Sequence, residues 1–354
     1  MFLSTNNGSY WSTINSGITN PDLTSLAING ANIFAGAAGG DGIYLSTNNG
    51  GNWTVVNNGL TNFLVNSLFV NGTDIFAGTF GGFSPPRVFL STNNGSSWTL
   101  ASTGLTGMGG VTSFAISGTN IFAGTVSSVF GYYGGIFITT NNGSSWTFSN
   151  TGLPAVNVFS LVANGSTILA GTDAGVYISN NNGGNWSLSN SGLSNNTVGK
   201  FAINGTKIFA GTYGGGVFLS TDNGTSWNAV NAGLTNTYIL SFAIDGTNIF
   251  AGTDNGGVWK RPLSELTSID ENNLEVSFSV YPNPATNQLT IALPNNFKEV
   301  TATISDITGK IIYKTTTINS EKLEVNTSDF AEGVYLVQVQ TEYFIETKKV
   351  IVTK

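Results

Sequence analysis

The chain has 354 residues, of which 40% are hydrophobic and only 9% charged, with a formal net charge of −7. This apolar content excludes a disordered acidic polymer, and 12 Lys and Arg residues without a basic stripe exclude nucleic-acid binding. Cysteine and histidine are absent, which excludes disulfides, thiolate zinc sites and Ser-His-Asp catalysis, and no apolar run is long enough to form a transmembrane segment.

The first residues, MFLSTNNGSYW, have neither the basic nor the apolar region of a signal peptide. They begin in the middle of a phrase that is repeated further along the chain. We therefore expect that a signal peptide and further sequence are missing upstream of Met1.

One phrase recurs through residues 1–262, with the approximate consensus SLAINGTNIFAGT, GGVFLSTNNGSSWT and xxNxGLTN. Its tryptophans are spaced 40 to 48 residues apart, the range of a four-stranded propeller blade. Each repeat holds four short β-branched or aromatic runs, which we name strands A (SLAI), B (NIFAG), C (GVFLST) and D (SWT). The A–B connections are Asn-Gly, Ser-Gly or Asp-Gly pairs, which suit tight hairpins.

The blade count follows from how the ring closes. The chain opens with C and D material, and its last repeat ends after A, B and C. The D strand around Trp11 is therefore expected to complete the blade of Ile249 and remove exposed edges. The sequence predicts an all-β fold with a six-bladed β-propeller, or a seven-bladed one if residues are missing upstream.

The C–D connection reads S-T-N-N-G-x-x-W, and we call it the box. It resembles the Asp-box, S-x-D-x-G-x-x-W, of BNR-like propellers such as sialidases, sortilin-type receptors and photosystem-assembly factors. The resemblance implies a structural turn in which the Asx and Gly shape the hairpin and the Trp is buried. The matching residues are Asn48, Gly50, Trp53, Asn93, Gly95, Trp98, Asn141, Gly143, Trp146, Asn181, Gly183, Trp186, Asp222, Gly224 and Trp227.

Only Asp222 keeps the acid of the motif, and Asn stands in the other boxes. A carboxamide can still accept a local backbone hydrogen bond. Calcium binding is the alternative, but a hard cation needs several carboxylates and each turn offers one at most. We predict no metal and no cofactor.

A sialidase resemblance would imply an arginine triad and a Tyr/Glu nucleophile pair. The blades contain a single arginine, Arg87, and no Glu precedes Glu265. Both the carboxylate clamp and the paired acid are therefore lacking. We predict that the protein is not an enzyme, with a sialidase-like glycoside hydrolase as the least favoured alternative.

The B–C and D–A loops vary between repeats, whereas the A–B turns and boxes are nearly uniform. In an up-and-down blade the variable loops share one face, which we call the loop rim, and loops on a fixed scaffold carry function. Aromatic residues gather there and suit sugars and protein hot spots. Ligand contacts are expected to centre on the loops 80–87 and 126–135. The candidates are Phe63, Phe80, Phe83, Arg87, Phe130, Tyr132, Tyr133, Tyr213 and Tyr238.

The repeat ends at about Arg261. A polar linker over 263–276 leads to alternating runs over 277–354, which predict a small immunoglobulin-like β-sandwich of about seven strands. The segments YPNPATNQLTI, DITGKIIY, FAEGVYLVQV and KKVIV resemble the type A C-terminal sorting domain of type IX secretion cargo from Bacteroidota-like bacteria. The matching residues are Pro282, Asn283, Pro284, Gly309, Lys310, Gly333, Tyr335, Lys348 and Lys349.

That resemblance implies translocation across the outer membrane by the type IX machinery, removal of the domain, and release or surface attachment. The alternative for this region is a plain spacer domain. For the whole chain we expect a secreted or cell-surface module that binds an unknown protein or carbohydrate. A purely structural surface protein is the second hypothesis, because fold alone names no ligand.

Overall fold

The computed structural model describes residues 1–127, 133–266, 278–297, 299–317, 320–341 and 345–354. Within these ranges the fold is all-β, with one 3₁₀ turn at Leu263–Leu266 and no α-helix. The chain divides into two compact units, residues 1–267 and 268–354.

The described residues of the first unit form five four-stranded antiparallel sheets, each made of strands consecutive in sequence and giving strands A to D of one blade. The first two are β3–β6 (Leu23–Asn29, Asn32–Ala37, Gly42–Ser46, Thr54–Val55) and β7–β10 (Val65–Asn71, Asp74–Thr79, Arg87–Ser91, Thr99–Leu100). The next are β11–β14 (Gly110–Ser117, Asn120–Val126, Gly135–Thr139, Thr147–Phe148) and β15–β18 (Val158–Asn164, Thr167–Thr172, Gly175–Ser179, Ser187–Leu188). The fifth is β19–β22 (Val198–Asn204, Lys207–Thr212, Gly216–Ser220, Asn228–Ala229).

Two smaller sheets complete this unit. One is a hairpin of β1 and β2 (Phe2–Leu3, Ser12–Thr13), and the other has the three strands β23–β25 (Ile239–Ile244, Asn248–Thr253, Gly257–Pro262).

The expected closure, in which the strand after Trp11 completes the blade of Ile249, is wrong for the described residues. Strand β2 pairs with β1, Phe2 opposite Thr13, and not with β25. Strand β25 instead runs on to Pro262, and Arg261 Nη1 donates a hydrogen bond to Val230 O at 3.2 Å. In the complete blades the indole N–H of a box Trp donates to the equivalent carbonyl. Arg261 takes the place of that Trp, so the chain departs from the repeat where strand D would follow.

The A strands are innermost, because each lies beside the A strand of the next sheet: β3 by β7, and so on to β23. The cores lie between consecutive sheets. One of them combines Phe34 and Ile43 of the first full blade with Val65, Phe89 and Trp98 of the second. This face-to-face packing of radial sheets is the β-propeller architecture.

The described residues of the second unit form seven strands in two sheets around one core that includes Phe278, Ile291, Ile304, Val337 and Val350. The sheet β26–β27–β30 comprises Ser279–Tyr281, Gln288–Phe297 and Ser320–Asn326. The sheet β29–β28–β31–β32 comprises Ile311–Thr317, Val300–Asp306, Gly333–Thr341 and Ile345–Val352. Their alternating burial is that of strands with one face on a core. The immunoglobulin-like assignment stays a prediction.

Candidate binding surface on the loop rim

The box is a turn closed by its own side chains. In the box after β5, Gly50 N donates to Ser46 Oγ at 2.8 Å and Asn52 N donates to Asn48 Oδ1 at 2.9 Å. The same two bonds occur in the Asp222 box, from Gly224 and Ser226. The Asx side chain thus supplies an acceptor to backbone N–H groups that no strand satisfies.

Sequence reasoning missed the second Asn of each box. Asn94 has a φ of +54°, and the equivalent residues of the other boxes have nearly the same value. Asn tolerates this left-handed conformation better than other non-glycine residues. Its side chain also joins two blades, because Asn29 Nδ2 in an A–B turn donates to Asn94 Oδ1 at 2.8 Å. Equivalent bonds link Asp74 with Asn142 and Asn164 with Asn223. The Asn that precedes Gly in every box was the available signal.

The box tryptophans of the five complete blades are 2–3% exposed. Each donates its indole N–H to a main-chain carbonyl near the D strand of the preceding sheet, as Trp146 does to Ala101 at 2.9 Å. The A–B turns and boxes therefore build one uniform, hydrogen-bonded face.

The opposite face is the loop rim, and two further asparagines shape it. The first follows strand D: Asn231 Oδ1 accepts from Val217 N at 2.7 Å, and its Nδ2 donates to Gly215 O at 2.9 Å. This residue therefore holds the base of the B–C loop against the end of strand D. Asn57 and Asn190 do the same in their blades.

The second asparagine ends the GLxN phrase and ties neighbouring blades together. Asn195 Nδ2 donates to Tyr213 O at 3.1 Å, and Asn195 Oδ1 accepts from Thr197 N at 2.9 Å. Asn62 holds Phe80 O in the same way at 2.9 Å. These D–A loops, and the one that holds Asn236, are thereby fixed to the B–C loop of the following sheet.

Tyr213 and Tyr238 are in contact on these hydrogen-bonded loops. Their ring centroids are 6.1 Å apart with planes 6° from parallel, and their backbones form a β-bridge. Phe159, which sequence reasoning did not single out, lies 5.9 Å from the Tyr213 ring. Tyr213 packs over Gly199, where an added Cβ would lie 2.5 Å from the ring. Burial raises the pKa of the Tyr213 phenol above its ordinary value of 10.0. Tyr238 is 50% exposed.

A second group lies in the B–C loop of the β7–β10 blade. Phe83 is 83% exposed at the tip, whereas Phe80 is half-buried in a bridge with Gly110. Arg87 Nη1 donates to Thr61 Oγ1 at 3.3 Å, which holds the guanidinium beside the preceding D–A loop.

The remaining rim candidates are scattered or outside the described residues. Phe63 and Tyr133 are exposed, and no ring contact joins either to the two groups above within the ranges described. Phe130 and Tyr132 lie outside the described residues. In the described part of the chain no cluster of three or more Asp or Glu residues could hold a metal ion.

In the second unit the YPNP segment lies along the last strand. Asn283 Nδ2 donates to Lys349 O at 3.1 Å, and Asn283 Oδ1 accepts from Ile351 N at 2.9 Å. The flanking Pro282 and Pro284 both follow cis peptide bonds. Main-chain bonds between Ala285 and strand β32 continue this contact. The PNP motif and the final KKVIV strand are thus joined by hydrogen bonds.

The other predicted sorting residues lie in turns and strands. Gly309 and Lys310 form the β28–β29 turn, where Asp306 Oδ1 accepts from Lys310 N at 3.1 Å. Tyr335 is buried and donates its hydroxyl to Ala331 O at 2.9 Å, and Gly333 begins the same strand. Lys348 Nζ lies 5.2 Å from the Phe278 ring centroid.

Residues 279–353 match the family model of the Secretion system C-terminal sorting domain. This part of the chain is therefore a sorting domain of that family, and it indicates export by the type IX system to a secreted or cell-surface location. No helix in the described ranges is long and apolar enough to cross a membrane.

Solved structures similar to the chain are propellers. One is PorZ, a surface component of the type IX secretion system of Porphyromonas gingivalis, with a TM-score of 0.54 and 17% identity over 94% of this chain and 51% of PorZ. Another is YCF48 bound to D1 peptide, with a TM-score of 0.55 and 14% identity over 72% of this chain and 84% of that one. At these identities the likeness shows the fold alone.

A curated relative is an endo-acting ulvan lyase from Formosa agariphila. It is 37% identical over 83 residues, which are 23% of this chain. The chain spans 16% of that enzyme's length and about half of PorZ.

Proposed function

We propose that this chain is an exported, non-enzymatic binding module that holds a protein or glycan ligand on its loop rim. The observation that carries the proposal is the parallel pair of Tyr213 and Tyr238, which stands on hydrogen-bonded loops and leaves one ring half in solvent. A rigid aromatic surface of this kind costs little conformational entropy to order on binding.

The chemistry of the pair suits a ligand with flat or weakly polar faces. Aromatic faces stack on sugar rings and on planar peptide groups, and a phenol hydroxyl can hydrogen-bond a polar edge. Charge plays a small part, because only 9% of the chain is charged. The propeller YCF48, which shares the fold, is described as bound to a peptide, and this supports a peptide or protein as one class of ligand.

Two observations support a non-enzymatic role. Both arginines of the first unit are hydrogen-bonded, Arg87 to Thr61 Oγ1 and Arg261 to Val230 O, and no Glu precedes Glu265 in the sequence. The Glu of a sialidase-type Tyr/Glu nucleophile pair is therefore lacking in the blades. The likeness to the ulvan lyase covers too small a share of that enzyme to bring its activity to this chain.

The test screens the full chain on a glycan array and on a peptide array, and then measures Kd for the best probe. The variant Tyr238→Ala should weaken that probe at least about tenfold, which corresponds to one well-packed aromatic contact. Its Tm should stay close to that of the parent, because half of the ring is already exposed. Phe83→Ala tests the second group in the same assay.

The matched control is Tyr10→Ala. Tyr10 is 70% exposed, but it belongs to the box of the β1–β2 hairpin, on the other face. Undiminished affinity in Tyr238→Ala, or an equal loss in Tyr10→Ala, would overturn the proposed position of the site. Failure of every probe on both arrays would favour the purely structural hypothesis.

A further inference from the structure

The β1–β2 hairpin occupies a blade position of its own between the last sheet and the first full blade. In complete neighbours the box Gly lies against the B strand of the preceding blade, so that a Cβ on Gly95 would be 2.6 Å from Phe34. Gly8 of the hairpin faces Phe250 of β24 in the same way, at 3.3 Å. On its other side, Ile14 O accepts the indole N–H of Trp53 at 2.9 Å.

This position has strands C and D but lacks strands A and B. A cavity of about 900 Å³ lies where they would stand. Its walls come from the hairpin, from the first residues of β3, and from the last sheet, including Trp11, Leu26, Phe242 and Phe250. Strands β3 and β23 lack the side-by-side contact that joins the other consecutive A strands of the described unit.

The last sheet lacks the contact that a following A strand would make. In the other blades the B-strand Gly lies under a β-branched residue of the next A strand, and a Cβ on Gly78 would be 2.7 Å from Val111. The equivalent distance from Gly211 to Ile239 is 2.5 Å. A Cβ on Gly252 would meet only Ser241 of its own blade. Gly252 lines the cavity.

The first full blade lacks the contact that a preceding B strand would make. Phe114 in strand A packs on Phe76 in the B strand before it, with ring centroids 6.1 Å apart, and is 9% exposed. Leu26 has the equivalent place in β3 and is 57% exposed on the cavity wall. The equivalent Phe114 and Leu161 are buried in their blades, whereas Leu26 is left largely in water.

On the face that carries the boxes, the first full blade also lacks a contact with a preceding A–B turn. Asn94, Asn142 and Asn223 each bond to the A–B turn of the preceding blade. In the described residues Asn49, their equivalent in the first full blade, has no such bond. Strand β1 also has one unpaired edge, because only β2 pairs with it.

We propose that this gap is the seat of one A–B hairpin of the repeat's own type. Its A strand would place a Val over Gly252, its B strand would pair with β1 and cover Leu26, and its turn would bond Asn49. Only Asp173 and Ala174 separate strands B and C in the β15–β18 blade, so a covalent connection to Met1 can be equally short. With the hairpin seated, the ring has seven blades, of which the β23–β25 sheet keeps three strands. The inference is independent of any ligand on the loop rim.

The test fuses a copy of residues 158–175 directly ahead of Met1 of the full chain. This junction places Phe2 in the register of Tyr177 and Ser4 in that of Ser179. The fusion should raise Tm by about 4 °C or more, because it buries apolar walls that now face solvent. It should also reduce acrylamide quenching of tryptophan fluorescence, because Trp11 is 41% exposed and five of the other six tryptophans are buried.

The matched control carries the same added residues in scrambled order. If the hairpin occupies the gap, the ordered fusion should have a higher Tm and less acrylamide quenching of tryptophan fluorescence than the scrambled one. Hydrogen exchange should also show new protection of the Phe2 amide, which faces the open edge of β1, in the ordered fusion alone. Equal Tm, equal quenching and an unprotected Phe2 amide in both fusions would overturn the proposal.

Discussion

Trp98 donates its indole N–H to the carbonyl oxygen of Val56, 2.8 Å away in the neighbouring sheet, and its ring is 3% exposed. This bond and the buried ring join two blades at once. We expect Trp98→Ala to lower the free energy of unfolding by about 3–5 kcal/mol, the usual cost of removing a large buried aromatic. Urea unfolding followed by circular dichroism measures the change.

Trp11 is the matched control, because it has the same place in its box but is 41% exposed. Among the described residues the last sheet has no D strand for it to pack on. Trp11→Ala should therefore cost less than about 1 kcal/mol, like other substitutions at exposed sites. Similar losses in the two variants would contradict a role for the box Trp in joining complete blades.

The boxes should tolerate exchange of Asn and Asp. We expect Asn93→Asp and Asp222→Asn each to change the free energy of unfolding at pH 7 by less than about 1 kcal/mol, because both oxygens accept the same backbone bonds. The pKa of Asp222 is lowered: burial raises it, but hydrogen bonds from Ser226, Ser220 and Thr225 together outweigh that effect.

The lowered pKa of Asp222 predicts a direction for the pH dependence of stability, and this direction can be tested. The stability supplied by the Asp222 carboxylate is present above its unfolded pKa of 3.8 and is lost as the pH falls through the folded value. The stability difference between the parent and Asp222→Asn should therefore shrink when urea unfolding is repeated below pH 3.8. A difference that grows in acid would contradict the hydrogen-bonded carboxylate.

Much of the fold follows from the repeated sequence pattern, because strand-forming runs alternate with Asn-Gly turns and the pattern recurs at the length of one blade. Ring closure could not be predicted, since the sequence offers the strand after Trp11 two partners, β1 and β25. The continuation of β25 to Pro262, with Arg261 on Val230 O, excludes the second. The closure therefore depends on which group donates a hydrogen bond to Val230 O, and the period of the sequence does not show this.

The sequence predicts which aromatic residues lie on the loop rim, but not how they are arranged. Tyr213 and Tyr238 were both recognised as rim aromatics, yet their contact depends on Asn195, which holds the Tyr213 loop, and on Gly199 beneath the ring. Phe159 was missed because it stands within an A strand and not in a loop. Loop length, which favoured residues 126–135, says little about which loops are fixed to each other.

Lys200 should give the propeller an unusual alkaline dependence. It pairs with Gly211 at a register position that holds Ser in the other A strands, and burial lowers the pKa of its ammonium below 10.5. The unfolded chain then binds more protons between the folded pKa and 10.5, so this residue makes stability rise with pH. We expect the stability of the parent relative to Lys200→Ser to increase as the pH is raised toward 10.5. A constant difference in urea unfolding across that range would contradict a desolvated ammonium.

Export should be accompanied by removal of the sorting domain. Mass spectrometry of the mature species from a type IX-competent host should find a C-terminus between about Leu263 and Phe278, which spans the predicted linker. The boundary between the two compact units at residues 267 and 268 falls within this window. Surface-exposed protein that retains Lys354 would contradict removal of the domain.

Gly199 and Tyr213 should show a coupling that needs no ligand to detect. A Cβ on Gly199 would lie 2.5 Å from the Tyr213 ring, and the backbone there has no positive φ, so crowding is the expected cause of any loss. Gly199→Ala should cost about 1–3 kcal/mol by overpacking. In the Tyr213→Ala background the same change should cost much less, because the ring that it displaces is gone. A double-mutant cycle in urea measures this coupling. Additive losses would mean that the ring is not held against Gly199, and the arrangement with Tyr238 that supports the binding proposal would then lose its base.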